Sequence, residues 1–305
     1  MNCTGRGQMR HLQSFRYLKS IVETGSIRGA ADNLAISPSA LNRHIQTLEQ
    51  DIDIKIFERL THGVRLTPEG EMFFAYALDQ LSGYKLLRNE IANVRGLQIG
   101  KINFAVSKDI MLQPILPLIT LFQEDYQNVE IELFVLDPIS MFQSLRNGDL
   151  DMALCVNPNL HRGLTVLGAK NTPIQSFIPN GVPISKSGIM RMYELNGIRV
   201  AMPPLESETA QRVVAGCERS HIDIKISYSG PNIAEYLAHS SFPVSGCFMV
   251  LDGGKEPYQI SGYKRVALDE KEIGSCTMTV LANDEKRLTR PGHRFLRLLL
   301  AALES

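Results

Sequence analysis

Between residues 12 and 60 the apolar positions recur every three or four residues, the spacing of short helices with one buried face. Phe15, Leu18, Ile21 and Val22 form the first such face. Gly25 ends that helix, and Ser26 is placed to cap a second over 26–34, with Ile27, Ala30, Ala31 and Leu34 on one side. After the turn Ala35-Ile36-Ser37, Ser37 stands as N-cap and Pro38 as first helical residue of a third helix reaching about Gln50. Its buried stripe is Leu41, Ile45 and Leu48. Ile56-Phe57 starts a short strand or helix end, 61–64 reads as a turn and 65–67 as a return strand, which together make a wing. Thr67-Pro68-Glu69-Gly70 then opens a long helix to about Arg95, with Phe73, Ala77, Leu81, Tyr84, Leu87, Ile91 and Val94 at three- or four-residue spacing. Such a stripe must be buried, against its own domain or against a second copy of the chain.

From Ile99 the pattern changes to alternating strands and helices. Strands over 102–106, 129–136 and 152–156 enclose helices over 110–125 and 139–147, a βαβαβ run that predicts a parallel sheet with helices on both faces. A second series places strands over 173–178, 198–202, 222–227 and 247–251 and helices over 209–220 and 233–238. A late strand over 276–282 and a terminal helix over 290–303 close the chain. The fold class is therefore α/β: an N-terminal winged helix-turn-helix over 9–66, a long helix over 67–96, and a two-lobed α/β domain over 97–305. Lobe I takes about 97–165 and 268–305, and lobe II about 166–267.

Composition narrows the classes. The 305 residues are 44% hydrophobic, enough for each domain to bury a core. Lys+Arg and Asp+Glu are 32 each, which excludes a bulk-basic histone-like protein and an acidic disordered one. The balance is uneven, however: residues 1–66 carry nine basic against six acidic side chains, and the rest 23 against 26. A basic head on a slightly acidic body implies that the head alone meets a polyanion. The five cysteines are scattered and include no C-x-x-C, so neither a disulfide framework nor a zinc module is expected. No 18-residue apolar run and no signal peptide is seen, which points to the cytoplasm and away from the membrane. Nucleophile-elbow, zincin, P-loop and dinucleotide motifs are absent, so no enzyme, cofactor or metal is expected. The histidines, His161 among them, are dispersed, and Leu251-Asp252-Gly253-Gly254 is a turn signal rather than a phosphate loop.

Two helices joined by a short turn, with Ala30 and Ala31 letting the backbones approach, make a helix-turn-helix. The third helix turns Ser39, Asn42, Arg43 and Gln46 away from its apolar stripe. These side-chain types read base edges in the major groove of double-stranded DNA. Ser26, Ser37 and Pro38 stand at helix starts, where a phosphate is favoured, and Arg28, His62 and Arg65 are candidates for backbone contacts that position without specifying. On this pattern alone a solvated polar helix face stays open beside the DNA reading.

The residue string itself resembles the N-terminal domain of the LysR-type transcriptional regulators. The family pattern G-S-x-x-x-A-A-x-x-L is matched by Gly25, Ser26, Ala30, Ala31 and Leu34. S-x-x-A-[LV]-S-x-x-I-x-x-L-E is matched by Ser37, Ala40, Leu41, Ile45, Leu48 and Glu49, and L-F-x-R…G-x-x-L-T-x-x-G by Phe57, Arg59, Gly63, Leu66, Thr67 and Gly70. The departures are Asn42 for the usual serine, Asp53 for glycine and Ile56 for leucine. Asn42 stays polar, so it bears on which base is read. A weaker resemblance continues through Leu145–Ala153, Phe177–Ile184 and Leu195–Pro203. The match begins near Met9, so residues 1–8 read as an upstream extension or a disordered tail, and translation from Met1 or Met9 stays open.

The resemblance implies a linker helix that pairs with its copy, giving a homodimer or homotetramer, and an effector domain resembling type II periplasmic binding proteins. Ligands of open α/β sheets sit beyond the carboxyl ends of strands. That rule brings Ser107, Lys108 and Asp109 to the cleft, with Asp137 and Pro138, then Met202 and Pro203, Ser207, Glu208 and Thr209, and Ser245. By resemblance Ser107, Pro138 and Pro203 fall at effector positions. The implied effector is a small molecule, an organic acid or amino-acid-like; Asp137 and Glu208, if they line the cleft, argue for an amine or amino acid. Lobe closure would then alter DNA bending and contact with RNA polymerase. A transport solute-binding protein, an architectural DNA binder without ligand, and a cysteine redox sensor are the competing readings. The first requires export; the last finds no basic cluster beside Cys217 or Cys247 to lower a thiol pKa.

Overall fold

The computed structural model describes residues 10–94, 100–158, 164–183, 188–251, 258–284 and 288–304. Cys3, His161 and the 252–254 turn lie outside them. The chain forms two compact units, divided between Ile91 and Ala92.

The first unit orders α1 (Arg10–Thr24), α2 (Ile27–Asn33), α3 (Pro38–Asp51), β1 (Phe57–Arg59), β2 (Val64–Leu66) and α4 (Pro68–Val94). Ser26 and Ser37 cap α2 and α3, accepting from the N–H of Gly29 and of Ala40, each at 3.2 Å. Leu18, Ile21, Ala30, Ala31 and Leu41 are fully buried where the three helices meet. Deleting a side chain such as Leu41 would cost roughly 2–5 kcal/mol. The wing strands pair antiparallel, Phe57 opposite Leu66. Gly63 turns the wing at φ +94, and a Cβ there would run into the Gly25 carbonyl oxygen. That same carbonyl accepts the Val64 N–H at 2.9 Å, which pins the wing to the turn between α1 and α2.

The stripe of α4 divides its work. Phe73, Ala77, Leu81 and Tyr84 pack on the head's own core with Phe15 and Leu18. Phe73 and Tyr76 meet the Phe15 ring edge-on at 6.0 and 5.9 Å between centroids. Met72, Tyr76, Leu87 and Ile91 remain exposed.

The second unit contains two mixed sheets. The first holds β3 (Gly100–Ser107), β4 (Val129–Leu136), β5 (Met152–Val156), β6 (Thr165–Thr172) and β13 (Cys276–Ala282), in the order β4-β3-β5-β13-β6. Its first three strands are parallel, joined by α5 (Ile115–Asp125) and α6 (Pro138–Arg146). β13 runs antiparallel to both neighbours, so the sheet is mixed rather than parallel throughout. The second sheet holds β7 (Gln175–Pro179), β8 (Ile189–Met190), β9 (Arg199–Met202), β10 (Lys225–Ser229), β11 (Ser245–Phe248) and β12 (Tyr263–Leu268), in the order β10-β9-β11-β7-β12-β8. It carries α7 (Glu208–Arg219), α8 (Ile233–His239) and the short α9 (Glu270–Ile273). α10 (Arg290–Glu304) returns to the first sheet, with Phe295 stacked edge-on to Phe104 at 5.3 Å.

Two differences from the pattern reading have clear causes. α5 starts at Ile115, not at 110, because Ile110 bridges to Met249 and Pro114 stands before the first turn. Strands β6 and β12, TVLGAKNT and YKRVAL, lack a regular apolar–polar alternation, so the period of two does not reveal them. Because β6 pairs with β13, the chain leaves the first sheet after Thr172.

Candidate nucleic-acid interface and interlobe cleft

α3 has two opposed faces. Leu41 and Ile45 are 0% and 3% exposed, while Ser39, Arg43 and Gln46 are exposed and Asn42 is half-buried. The helix is fixed from both sides. His44 Nε2 and Ser14 Oγ share a hydrogen bond of 2.7 Å to α1, and the His44 ring lies edge-on to Tyr17 at 5.0 Å. At the far end the buried Glu49 carboxylate accepts the N–H groups of Ile56 (2.8 Å) and Phe57 (3.2 Å) and the Lys55 ammonium (2.9 Å). Burial alone would raise the Glu49 carboxyl. The Lys55 hydrogen bond and the two backbone donors outweigh it and hold the group below its ordinary range. Pattern reading missed Glu49 and His44 as positioning groups. The available signal was a charged residue continuing the stripe of Leu41 and Ile45.

The remaining head candidates are spread around this helix. Ser37 and Pro38 are exposed at its start and Arg28 is exposed on α2. Ser26 is half-buried and already capping. His62 is exposed in the wing turn. Arg65 lies opposite Glu58 across the wing and pairs with it. That hydrogen bond raises the guanidinium pKa further.

In the second unit a cavity of about 200 Å³ lies between the ends of β3, β4 and β5 on one lobe and the start of α7 on the other. Lys108, Asp137, Pro138 and Ser207 line it, as do Asp109 and Glu208. Ser107, Met202, Pro203 and Ser245 do not: all four are buried, Ser107 and Met202 at the ends of β3 and β9, Pro203 next after β9, and Ser245 at the start of β11. The alternation that delivers one residue of a strand end to the cleft turns its neighbour into the core. Leu136 and Val156 line it from the strand ends, and Ile139, Phe142, Asn157, Pro204, Glu206 and Gln211 complete the lining and were not foreseen. The latter follow the strand ends by one or more residues and carry no motif.

Asp109 is 5% exposed and reaches from β3 across to α7, where it accepts the Thr209 N–H at 2.9 Å. Burial pushes its carboxyl up from the ordinary value, partly offset by that backbone hydrogen bond. A second tie joins Asn157 of lobe I to Glu208 at 2.9 Å, and Glu208 also pairs with Arg212 at 2.7 Å. Asp137 caps α6, accepting the Ser140 N–H at 3.0 Å and its hydroxyl at 2.7 Å. These bonds, with the nearby Lys108 charge, hold the Asp137 carboxyl low.

The cysteines carry no reactive thiol among the described residues. Burial pushes Cys155, Cys247 and Cys276 up to about 12 and Cys217 to about 11. Among the described residues no helix is long and apolar enough to cross a membrane.

Comparison with known proteins agrees with this architecture. The family model for the bacterial regulatory helix-turn-helix protein, lysR family, matches residues 12–71, and that for the LysR substrate binding domain matches 95–239. The chain belongs to the LysR-type transcriptional regulators. As a LysR-type protein it is a DNA-binding transcriptional regulator with an effector-binding domain, and the family is not one of enzymes. BenM, an HTH-type transcriptional regulator of Acinetobacter baylyi, is 32% identical over 146 residues, 47% of this chain and 46% of BenM. The match thus spans about half the length of that relative. A probable RuBisCO transcriptional regulator of Cyanidium caldarium is 22% identical over 302 residues, 96% of this chain and 94% of its own. Full-length OxyR of Pseudomonas aeruginosa, a single-residue variant, shares the fold with a TM-score of 0.62 at 16% identity, covering 98% of this chain and 96% of that one.

Proposed function

We propose that α3 enters the major groove of double-stranded DNA and that a small molecule between the lobes changes how the regulator acts on its promoter. In this reading Ser39, Asn42, Arg43 and Gln46 meet base edges. Ser26, Arg28, Ser37, Pro38, His62 and Arg65 meet phosphates and set the register. The observation that carries it is the opposition of faces on α3: an apolar side locked into the head and a polar side left to solvent.

Residues 67–96 act as the linker. Met72, Tyr76, Leu87 and Ile91 fall within an arc of about 100° at ~100° per residue, one side of α4 that a second copy can cover. Two heads then read two half-sites, as a dimer or a pair of dimers, next to RNA polymerase in the cytoplasm. Lys108, Asp137, Pro138 and Ser207 hold the effector, with Ser107, Met202, Pro203 and Ser245 supporting the strand ends from behind.

The test replaces Asn42, Arg43 and Gln46 with alanine together, on a duplex selected by the wild-type protein from a random library. Each lost base contact costs roughly 1–3 kcal/mol, so selective binding falls by at least a hundredfold while the melting temperature holds. Unchanged affinity and selectivity in a folded variant would overturn the reading.

A further inference from the structure

We infer that the interlobe cavity selects a ligand carrying a protonated amine on a short apolar stem, not an organic anion. The inference rests on the effector reading of that cavity and adds the chemistry of what fills it.

Charge is the first argument. Asp137, Glu206 and Glu208 line the cavity beside the buried Asp109; Lys108 is the one cationic side chain among its described lining residues, and Arg212 pairs with Glu208 from outside the lining. Glu206 is exposed and has no ion-pair partner among the described residues. It is thus an acceptor left for a ligand.

The second argument is independent of side-chain count. Two helix N-termini, those of α6 and α7, border the cavity, and such ends attract anions. Here the chain has filled three of those positions with its own groups. The Ser140 N–H is given to Asp137, the Thr209 N–H to Asp109 and the Ala210 N–H to Ser207. Pro138 has no N–H to offer. An incoming carboxylate would meet two carboxylates already in the places it needs, whereas an ammonium would meet acceptors.

The third is shape. About 200 Å³ lies below the roughly 300–1,000 Å³ of a drug-sized site, so the ligand is a small metabolite. Leu136, Ile139, Phe142 and Val156 give the cavity an apolar wall. The ligand class is therefore an aliphatic or aromatic amine whose stem lies on that wall.

The experiment is calorimetric titration of the full-length protein at fixed ionic strength. The probes are cadaverine and phenethylamine, with glutarate and benzoate as anions and 1,5-pentanediol as the uncharged counterpart of cadaverine. An amine is expected to bind saturably and the diol not to bind. Glu206→Gln should weaken that amine about threefold, the scale of one exposed ion pair. Glu206→Lys should weaken it tenfold or more, with the melting temperature of the free protein unchanged in both. Binding of an anion that is lost in Lys108→Met, with no amine binding, would overturn the ligand class and leave the cavity as effector site. Amine binding that Glu206→Lys does not alter would overturn the assignment to this cavity. No heat from any probe would overturn the class and the effector reading together.

Discussion

Glu49 Oε1 accepts the Ile56 N–H at 2.8 Å, joining the end of α3 to the start of the wing. Its carboxyl is held below the ordinary value of 4.5, so the native state prefers the ionised form more than the unfolded chain does. The resulting stabilisation is complete above that ordinary value and is lost as pH falls through the lower folded value. Glu49→Gln removes the ionised acceptor from two backbone donors and Lys55, at a cost of about 1.5–3 kcal/mol for hydrogen bonds to a charged group. Hydrogen exchange of the Ile56 and Phe57 amides measures it: protection should drop in the variant and lose its dependence on acid. Equal protection in both proteins would contradict the role.

Gly70 lies in the first turn of α4, and a Cβ on it would strike the Ile56 carbonyl oxygen. That oxygen also accepts the Thr67 N–H at 3.0 Å, so it cannot simply move away. Gly70→Ala is therefore expected to destabilise the head by about 1–3 kcal/mol, the range for overpacking, despite the better helix propensity of alanine. Chemical denaturation followed by a probe in the head would show it; a neutral or stabilising effect would mean that the contact relaxes freely.

Asp53 occupies the left-handed region at φ +54, at a position where the resembling family pattern has glycine. Aspartate tolerates that conformation better than most residues but not as well as glycine. Asp53→Gly should raise stability by about 0.5–1 kcal/mol and leave DNA affinity as it was. A fall in melting temperature would show that the aspartate contributes something the backbone does not reveal.

Asp109 offers a test of the tie between the lobes. Its folded pKa is raised, so the native state binds its proton more tightly than the unfolded chain, and the second unit loses stability as pH rises from the ordinary value of 3.8 through the folded one. Asp109→Asn keeps an oxygen for the Thr209 N–H and removes the ionisation, so it should stabilise the second unit at neutral pH. Asp109→Leu leaves that buried N–H without an acceptor and should cost about 1–3 kcal/mol. If both variants melted alike, the Asp109–Thr209 bond would not join the lobes in solution.

The head was legible in the sequence because its signals are local. Ser37 before Pro38, Ala30-Ala31 and the Leu41/Ile45 stripe each act within one turn or one helix crossing, and they are where the structure has them. The cleft was half legible. The strand-end rule brought Lys108, Asp137, Pro138 and Ser207 to the cavity, but it could not say which neighbours turn inward, and Ser107, Met202, Pro203 and Ser245 are core. Glu206 and Asn157 are set by how two lobes approach each other, a long-range matter that no short window records. The stripe on α4 was legible as a stripe only: nothing in its spacing tells Phe73, which covers the head, from Leu87, which does not.

The insertion of β13 between β5 and β6 has a consequence for biosynthesis. The head and α4 draw every core residue from the first part of the chain, so they can close while the ribosome is still working. The first lobe cannot, because a central strand of its sheet is among the last segments to emerge, and until then β6 has an open edge. A message cut short before Cys276 would thus yield a DNA-reading head on a sensor that never finished folding. Such a product would occupy operators without answering to any metabolite.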